Sequence, residues 1–159
     1  MVVGFALHDD SGRVPSLMKT SKLVIYDTTL RDGAQGEGVS FSSSGKMKLA
    51  LRLDRFGVDY IEGGYAGSNQ KDMLFFQEIR KAKLSHAKIV AFGATRRAGT
   101  RVKDDEFVRC LVEAGTPTVA VVGKAWMLHV KDVLRTTAAE NGAMVADTIY
   151  TIIPLQDRS

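Results

Sequence analysis

The sequence has little cysteine, no block of like charge and no long apolar run, and each shortage excludes a class of protein. Cys110 is the only cysteine among 159 residues, so no disulfide can form within the chain, and a reducing compartment such as the cytoplasm is expected. The 22 Lys and Arg residues are scattered, so the net charge of +4 predicts a solvated surface and no nucleic-acid partner. No stretch is long enough to span a membrane, so no membrane partner is expected.

Residues 1–21 precede the first strand-like run and differ from the rest of the chain in composition. Residues 2–7 are apolar but have no basic segment before them, and the acidic pair Asp9 and Asp10 follows, which is a poor match to a signal peptide. The stretch is rich in small and polar residues, so we expect a flexible N-terminal extension. The remaining length suits one domain with a substantial core.

Strand-like and helical patterns alternate along the rest of the chain. Short apolar, β-branched runs occur at residues 23–26, 60–62, 88–92 and 118–122. A loop and a helical pattern follow each run, and the fourth helix is expected over residues 137–150. This alternation predicts four βα units around a parallel sheet.

The stretch DTTLRDGAQ at residues 27–35 concentrates the candidate chemistry. It follows the first strand, so it lies at that strand's carboxyl end, where α/β folds bind their ligands. Asp32 offers a hard oxygen ligand for a divalent cation, and Arg31 offers planar donors for a carboxylate or a developing oxyanion. An ordinary salt bridge between these two side chains is the alternative.

These residues resemble the signature of the DRE-TIM metallolyase family, which includes citramalate, isopropylmalate and homocitrate synthases and HMG-CoA lyase. The resemblance is closest to the citramalate synthases and continues through DYIEGG at 59–64, GSN at 67–69, TRRAG at 95–99, EAGTP at 113–117 and LRTT at 134–137. It implies a TIM (β/α)8 barrel, which has eight βα units in about 250 residues. We therefore expect residues 22–150 to be a partial, truncated barrel domain and residues 151–159 to be a tail outside the family pattern.

The resemblance also implies an activity and a set of site residues. The implied enzyme is an acyltransferase of branched-chain amino-acid biosynthesis that condenses acetyl-CoA with a 2-oxo acid. Pyruvate is the first candidate for that acid. Asp32 is implied as a ligand of a divalent cation (Mg²⁺, Mn²⁺ or Zn²⁺), and Arg31 as the group that holds the oxo oxygen. Gln35 would support the substrate or a metal-bound water, unless it only structures its loop.

Two further charged side chains follow later strands. Glu62 ends the second strand, where it either acts on the substrate or forms a structural ion pair with Arg31. Arg96 and Arg97 follow the third strand, where Arg97 is expected to bind a charge on the substrate or on CoA, with a solvated loop as the alternative.

One part of the family's site is missing from the sequence. The family's other metal ligands lie in a His-x-His motif, whereas the histidines here are residues 8, 86 and 129. We therefore expect a weak metal site and a fragment that is inactive alone. A non-catalytic half-barrel that acts as a binding module, and an aldol-type lyase of the HMG-CoA lyase kind, remain alternatives; GEG at 36–38 and EGG at 62–64 favour a synthase over the lyase.

A half-barrel would expose the edges of its sheet. The first and fourth strands would lack neighbours that a closed barrel provides. Side chains expected to face the barrel interior would also lose the opposite half of their core: Ile25, Ile61, Val90 and Val121. We therefore expect a homo-oligomer or a self-associating half-barrel.

Overall fold

The computed structural model describes residues 23–68 and 70–156, so the expected extension at residues 1–21 lies outside the described residues. The strands are β1 (Tyr26–Asp27), β2 (Tyr60–Tyr65), β3 (Lys88–Ala94) and β4 (Thr118–Val122), and the helices are α1 (Ser43–Phe56), α2 (Gln70–Ile79), α3 (Glu106–Glu113) and α4 (Ala138–Gln156). Short 3₁₀ turns occupy Gly33–Gln35 and Val102–Asp104, and a π-helical turn occupies His129–Val133. None of the described helices is both long and apolar enough to cross a membrane.

The four strands form one parallel sheet in the order β1-β2-β3-β4. This order confirms the predicted α/β fold of successive βα units. Because the strands run in the same direction, their carboxyl ends and the loops that follow them gather at one edge of the sheet. That edge positions the candidate site.

The helices pack on one face of the sheet and bury a continuous apolar core. Ile61, Ile89 and Ala91 contribute from the strands, and Phe75, Phe76 and Leu111 are among the contributors from the helices. Two strand glycines allow this close approach. A Cβ on Gly93 would lie 1.7 Å from Cδ1 of Leu111, and one on Gly63 would lie 2.4 Å from Cε1 of Phe75.

Several details of the sequence-based prediction are wrong. Strand β1 covers Tyr26–Asp27 and not residues 23–26, and β2 and β3 extend past their predicted ends. Ile61 and Val121 do not face a barrel interior, because they pack against the helix-side core, and side chains alternate between the two faces of a strand. The fourth helix does not end at Tyr150 but continues to Gln156, and Ile152 extends its buried face into the core. The division of the chain at residue 150 stays a prediction.

Candidate active site

The loop after β1 is folded by its own short-range hydrogen bonds. The Asp27 carboxylate accepts from the backbone N–H and from the hydroxyl of Thr29, each at 3.0 Å. The backbone N–H groups of Arg31 and Asp32 both donate to the carbonyl of Thr28, at 3.1 and 2.8 Å. The side chain of Leu30 in this loop is completely buried and packs in the apolar core, which fixes the loop against the core. The motif therefore presents Arg31 and Asp32 side by side at the carboxyl edge of the sheet.

Arg31 is held by three groups. Its Nε donates to Oε1 of Glu62, and its Nη1 donates to Oδ1 of Asp32 at 2.9 Å. The guanidinium carbon lies 4.2 Å from the centroid of the Phe92 ring, a cation–π contact that fixes the plane of the group. Within the described part of the chain, Nη2 has no hydrogen-bond partner. A fixed guanidinium with one edge left over is suited to holding an oxyanion.

Glu62 lies beneath Arg31, with its side chain 3% exposed. Its Oε2 accepts from the hydroxyl of Tyr26 at 2.6 Å, and its Oε1 accepts from Arg31. Burial, with Glu62 adding to it, raises the pKa of Tyr26 far above its ordinary value, so the phenol keeps its proton and remains a donor. With both oxygens engaged, Glu62 is placed to orient Arg31, which supports the ion-pair alternative.

Tyr26 is a site residue that sequence reasoning missed. It stands directly before the motif and pairs in register with Tyr60, so it lies diagonally across from Glu62. Its ring also stacks on that of Tyr60, with centroids 6.1 Å apart. The signal available in the sequence was an aromatic hydroxyl at the end of the first strand, next to the motif.

A cavity of about 190 Å³ opens beside Arg31 and Gln35. Lys46, Tyr65 and Asp72 also line it. A water takes about 30 Å³ of liquid volume, so a small organic acid fits in this space. The structure thus brings together four predicted site residues, because Gln35 and Arg31 share this cavity while Asp32 and Glu62 both contact Arg31.

Arg97 lies apart from this cavity. Its backbone N–H and its Nε donate to Oδ2 of Asp105 at 2.9 and 3.0 Å, and its side chain is 53% exposed. Asp105 also caps α3 by accepting from the backbone of Phe107 and Val108. Burial opposes ionisation of Asp105, but these hydrogen bonds outweigh it and lower the pKa of that carboxyl. A role for Arg97 in substrate binding stays a prediction.

Arg96, the neighbour of Arg97, is a structural residue. Its side chain is buried, its Nε donates to Asp147 at 2.7 Å, and its Nη1 donates to Glu140 at 2.7 Å. Its backbone N–H donates to the hydroxyl of Thr148 at 2.9 Å. These bonds fasten the end of β3 to α4, so Arg96 is not part of a solvated loop.

The described residues do not fit a divalent cation by themselves. Asp32 is the one predicted ligand, its side chain is 61% exposed, and one of its oxygens already accepts from Arg31. No group of three or more His, Cys, Asp and Glu side chains that could hold a metal ion occurs within residues 23–68 and 70–156. A metal at Asp32 would need further ligands, so the expected cation remains an implication of the resemblance.

Comparison with known proteins identifies the family. Residues 22–157 match the family model described as HMGL-like. This chain belongs to the HMGL-like family. It is 52% identical over 128 residues to the (R)-citramalate synthase of Aquifex aeolicus, and the aligned stretch covers 80% of this chain and 24% of that enzyme. It is 48% identical over 131 residues to the (R)-citramalate synthase of Synechocystis sp., and the aligned stretch covers 82% of this chain and 24% of that enzyme.

A solved structure has a similar fold. The HMG-CoA lyase of Bacillus subtilis superposes with a TM-score of 0.62 at 17% sequence identity, covering 82% of this chain and 42% of that chain. The likeness confirms the barrel-type arrangement of the βα units. The chain spans about a quarter of the length of the citramalate synthases that it matches.

Proposed function

We propose that this HMGL-like chain carries the first part of the substrate site of an acyltransferase of the citramalate and 2-isopropylmalate synthase type. The proposed reaction condenses acetyl-CoA with a 2-oxo acid, for which pyruvate is the first candidate. It would belong to branched-chain amino-acid biosynthesis in the cytoplasm. The observation that carries the proposal is the Arg31 guanidinium, which Glu62, Asp32 and Phe92 hold beside a small cavity. The similarity to citramalate synthases supports the choice of pyruvate.

The proposed chemistry places one demand on Arg31. In the condensation, the methyl carbon of the thioester gives a proton to a base and forms a bond to C2 of the oxo acid, while the π bond of the oxo group breaks and its oxygen becomes an alkoxide that is then protonated. Hydrolysis of the thioester then releases CoA. A donor that is already fixed where the negative charge develops stabilises the transition state without reorganisation. Arg31 meets this demand, because two of its nitrogens are held in place and Nη2 remains for the substrate oxygen.

The neighbouring residues take supporting roles in this proposal. Glu62 keeps the guanidinium in plane, and the Tyr26 hydroxyl keeps Glu62 in place. Gln35 lines the cavity next to Arg31 and can donate its amide to the carboxylate of the oxo acid. Bound metal in enzymes of this kind would polarise the oxo group, but the described residues complete no cation site, so we assign no step to a metal.

The first prediction tests binding of the oxo acid by the 159-residue chain. Saturation-transfer NMR with pyruvate should give a signal for the unmodified chain. The Arg31→Lys variant should bind at least about tenfold more weakly, because a flexible point charge replaces a fixed planar fork. Arg55→Lys is the matched control, since Arg55 is exposed in the last turn of α1 and should leave binding unchanged. Equal binding by the Arg31→Lys variant would contradict the proposed role.

A further inference from the structure

We propose that Lys46 and Asp72 are a positioning pair that sets the direction of the Glu62 side chain, and through Glu62 that of Arg31. The inference rests on the proposed function only in the sense that Arg31 is the substrate-binding group. The geometry that it explains, an arginine fixed by a buried glutamate, stands independently of the substrate.

The pair is buried between two helices and the sheet. Lys46 lies on α1 and Asp72 on α2, their side chains are 6% and 10% exposed, and Lys46 Nζ donates to Asp72 Oδ1. Removing two charges from water is costly, and a buried ion pair recovers this cost only when further hydrogen bonds satisfy both ions. Two further bonds of this pair go to the main chain of β2. Lys46 Nζ donates to the carbonyl of Gly63 at 3.0 Å, and Asp72 Oδ2 accepts from the N–H of Tyr65 at 3.0 Å.

These two main-chain groups belong to an irregular part of the sheet, and they lie on either side of Gly64. In the pairing of β2 with β3, Glu62 lies opposite Val90 and Gly64 lies opposite Ala91, so Gly63 is an extra residue in the strand. A bulge of this kind interrupts the ladder of hydrogen bonds and redirects the side chains beside it. Lys46 and Asp72 bind the strand on both sides of Gly64, and so hold the bulge at this position.

The glycines next to Glu62 make room for the pair. A Cβ on Gly64 would lie 2.6 Å from the carboxyl carbon of Asp72, so Asp72 can reach the strand only because residue 64 has no side chain. Gly63 likewise leaves space for the ring of Phe75, and Lys46 Nζ lies 5.9 Å from the centroid of that ring. The run Glu62-Gly63-Gly64 is therefore one unit, a site carboxylate followed by a bulge that two helices clamp.

The bulge bends the strand directly beside Glu62. Residues 60–62 pair in regular register with residues 88–90 of β3, so the face of Glu62 follows from the ordinary alternation of a strand, and the bulge affects the direction that the side chain takes on that face. Glu62 directly precedes the extra residue and carries the contacts to Arg31 and Tyr26. Lys46 and Asp72 also line the cavity that Arg31 and Gln35 share. The pair thus connects helix packing to the orientation of the candidate catalytic arginine.

The test separates positioning from simple structural support. We would compare the unmodified 159-residue chain with the double variant Lys46→Met and Asp72→Leu, because apolar groups of similar volume can replace a buried ion pair with little loss of stability. The readout is the NMR signal of the Arg31 Nε–H and the rate at which this proton exchanges with water. The signal is assigned because it disappears in the Arg31→Lys variant. The exposed pair Arg101 and Asp104, changed to Gln and Asn, is the matched control.

We expect the double variant to unfold cooperatively while its Arg31 Nε–H exchanges at least about tenfold faster, since the hydrogen bond to Glu62 weakens. An unchanged exchange rate in the folded double variant would overturn the inference and leave the pair a structural link between α1 and α2. If the double variant does not fold, Lys46→Arg carries the test. It keeps the charge, but its planar fork cannot reproduce the contacts of one ammonium group, so the exchange rate should again rise, and an unchanged rate overturns the inference.

The outcome for the proposed function is separate. If the Arg31 signal changes as expected but the unmodified chain binds no pyruvate, the positioning inference stands and the proposed substrate class fails. If pyruvate binds to the unmodified chain and to the folded double variant alike, with an unchanged Arg31 signal, the proposed function stands and the positioning inference fails.

Discussion

At the scale of single residues, buried carboxylates are held by hydrogen bonds to main-chain N–H groups. Asp54 on α1 accepts from the backbone of Ser85, His86 and Ala87 at 2.9, 2.8 and 2.7 Å. It also accepts from the hydroxyl of Ser85 at 2.8 Å. Burial by itself would raise the pKa of Asp54, but these hydrogen bonds outweigh it and hold the pKa far below its ordinary value. This one carboxylate fastens the end of α1 to the turn that leads into β3.

This arrangement predicts a pH-dependent stability. The pKa of Asp54 is lower in the folded state than the unfolded value of about 3.9, so its contribution is complete above that pH and is lost as the pH falls towards the folded pKa. Asp54→Asn should lower the free energy of unfolding at pH 7 by about 2–3 kcal/mol, because hydrogen bonds to a charge are lost. The difference from the unmodified chain should shrink below about pH 4.

Urea unfolding at pH 7 and pH 3, at one protein concentration, measures this effect. Asp104→Asn is the control, because Asp104 pairs with Arg101 on the surface and should contribute less than about 1 kcal/mol. Equal unfolding midpoints for Asp54→Asn and the unmodified chain at pH 7 would show that the Asp54 hydrogen bonds do not stabilise the fold.

The sequence could predict the site residues that lie close together along the chain, but not the partners that fold onto them. Arg31, Asp32 and Gln35 fall within one motif at the end of a strand, so their proximity follows from local structure. Arg96 and Arg97 look equivalent in sequence, yet Arg96 is buried by Asp147 and Glu140, which lie 51 and 44 residues further along the chain. Such distant partners leave no local signal.

At the scale of secondary-structure elements, the glycines explain which strands were predicted well. The observed bounds of β4 equal the predicted ones, because this strand is a plain apolar run. Strands β2 and β3 extend to Tyr65 and Ala94, past their predicted ends. Glycine favours loops in a sequence reading, but Gly63 and Gly93 lie within these strands because Phe75 and Leu111 pack directly on their backbone. That packing is a tertiary contact, which a local pattern does not reveal.

The edges of the sheet carry a prediction about association. Strand β1 has two residues and β4 has five, and they are the edge strands of the described sheet. A short edge strand pairs poorly with another chain, whereas a longer apolar edge strand such as β4 invites pairing. We therefore propose that the isolated chain self-associates through β4.

Size-exclusion chromatography with light scattering should give a mass above the 17.3 kDa of one chain. Ala120→Lys, in the middle of β4, should shift the mass towards the monomer, because an edge lysine discourages pairing. Ala125→Lys, at an exposed position beyond the strand, should leave the mass unchanged. A monodisperse monomer with cooperative unfolding would show that the sheet edge is protected in some other way.

At the scale of the whole molecule, four βα units bring the ends of their strands to one edge, and the candidate site is built from the first three strands. Tyr26 comes from β1, Arg31 from the loop after it, Glu62 from β2 and Phe92 from β3. The matched citramalate synthases are about four times as long as the matched segment. The central claim is that this segment supplies the arginine that stabilises the alkoxide in such an enzyme.

The most direct measurement exchanges the matched segment between proteins. Residues 22–149 of this chain would replace the corresponding segment of the Aquifex aeolicus (R)-citramalate synthase, and release of CoA from acetyl-CoA and pyruvate would be followed. We predict that the chimera releases CoA, that Arg31→Lys lowers its turnover about 100-fold or more, and that Arg55→Lys does not. The isolated 159-residue chain should release none above background. A folded chimera without activity, or one that keeps its full rate with Arg31→Lys, would contradict the account.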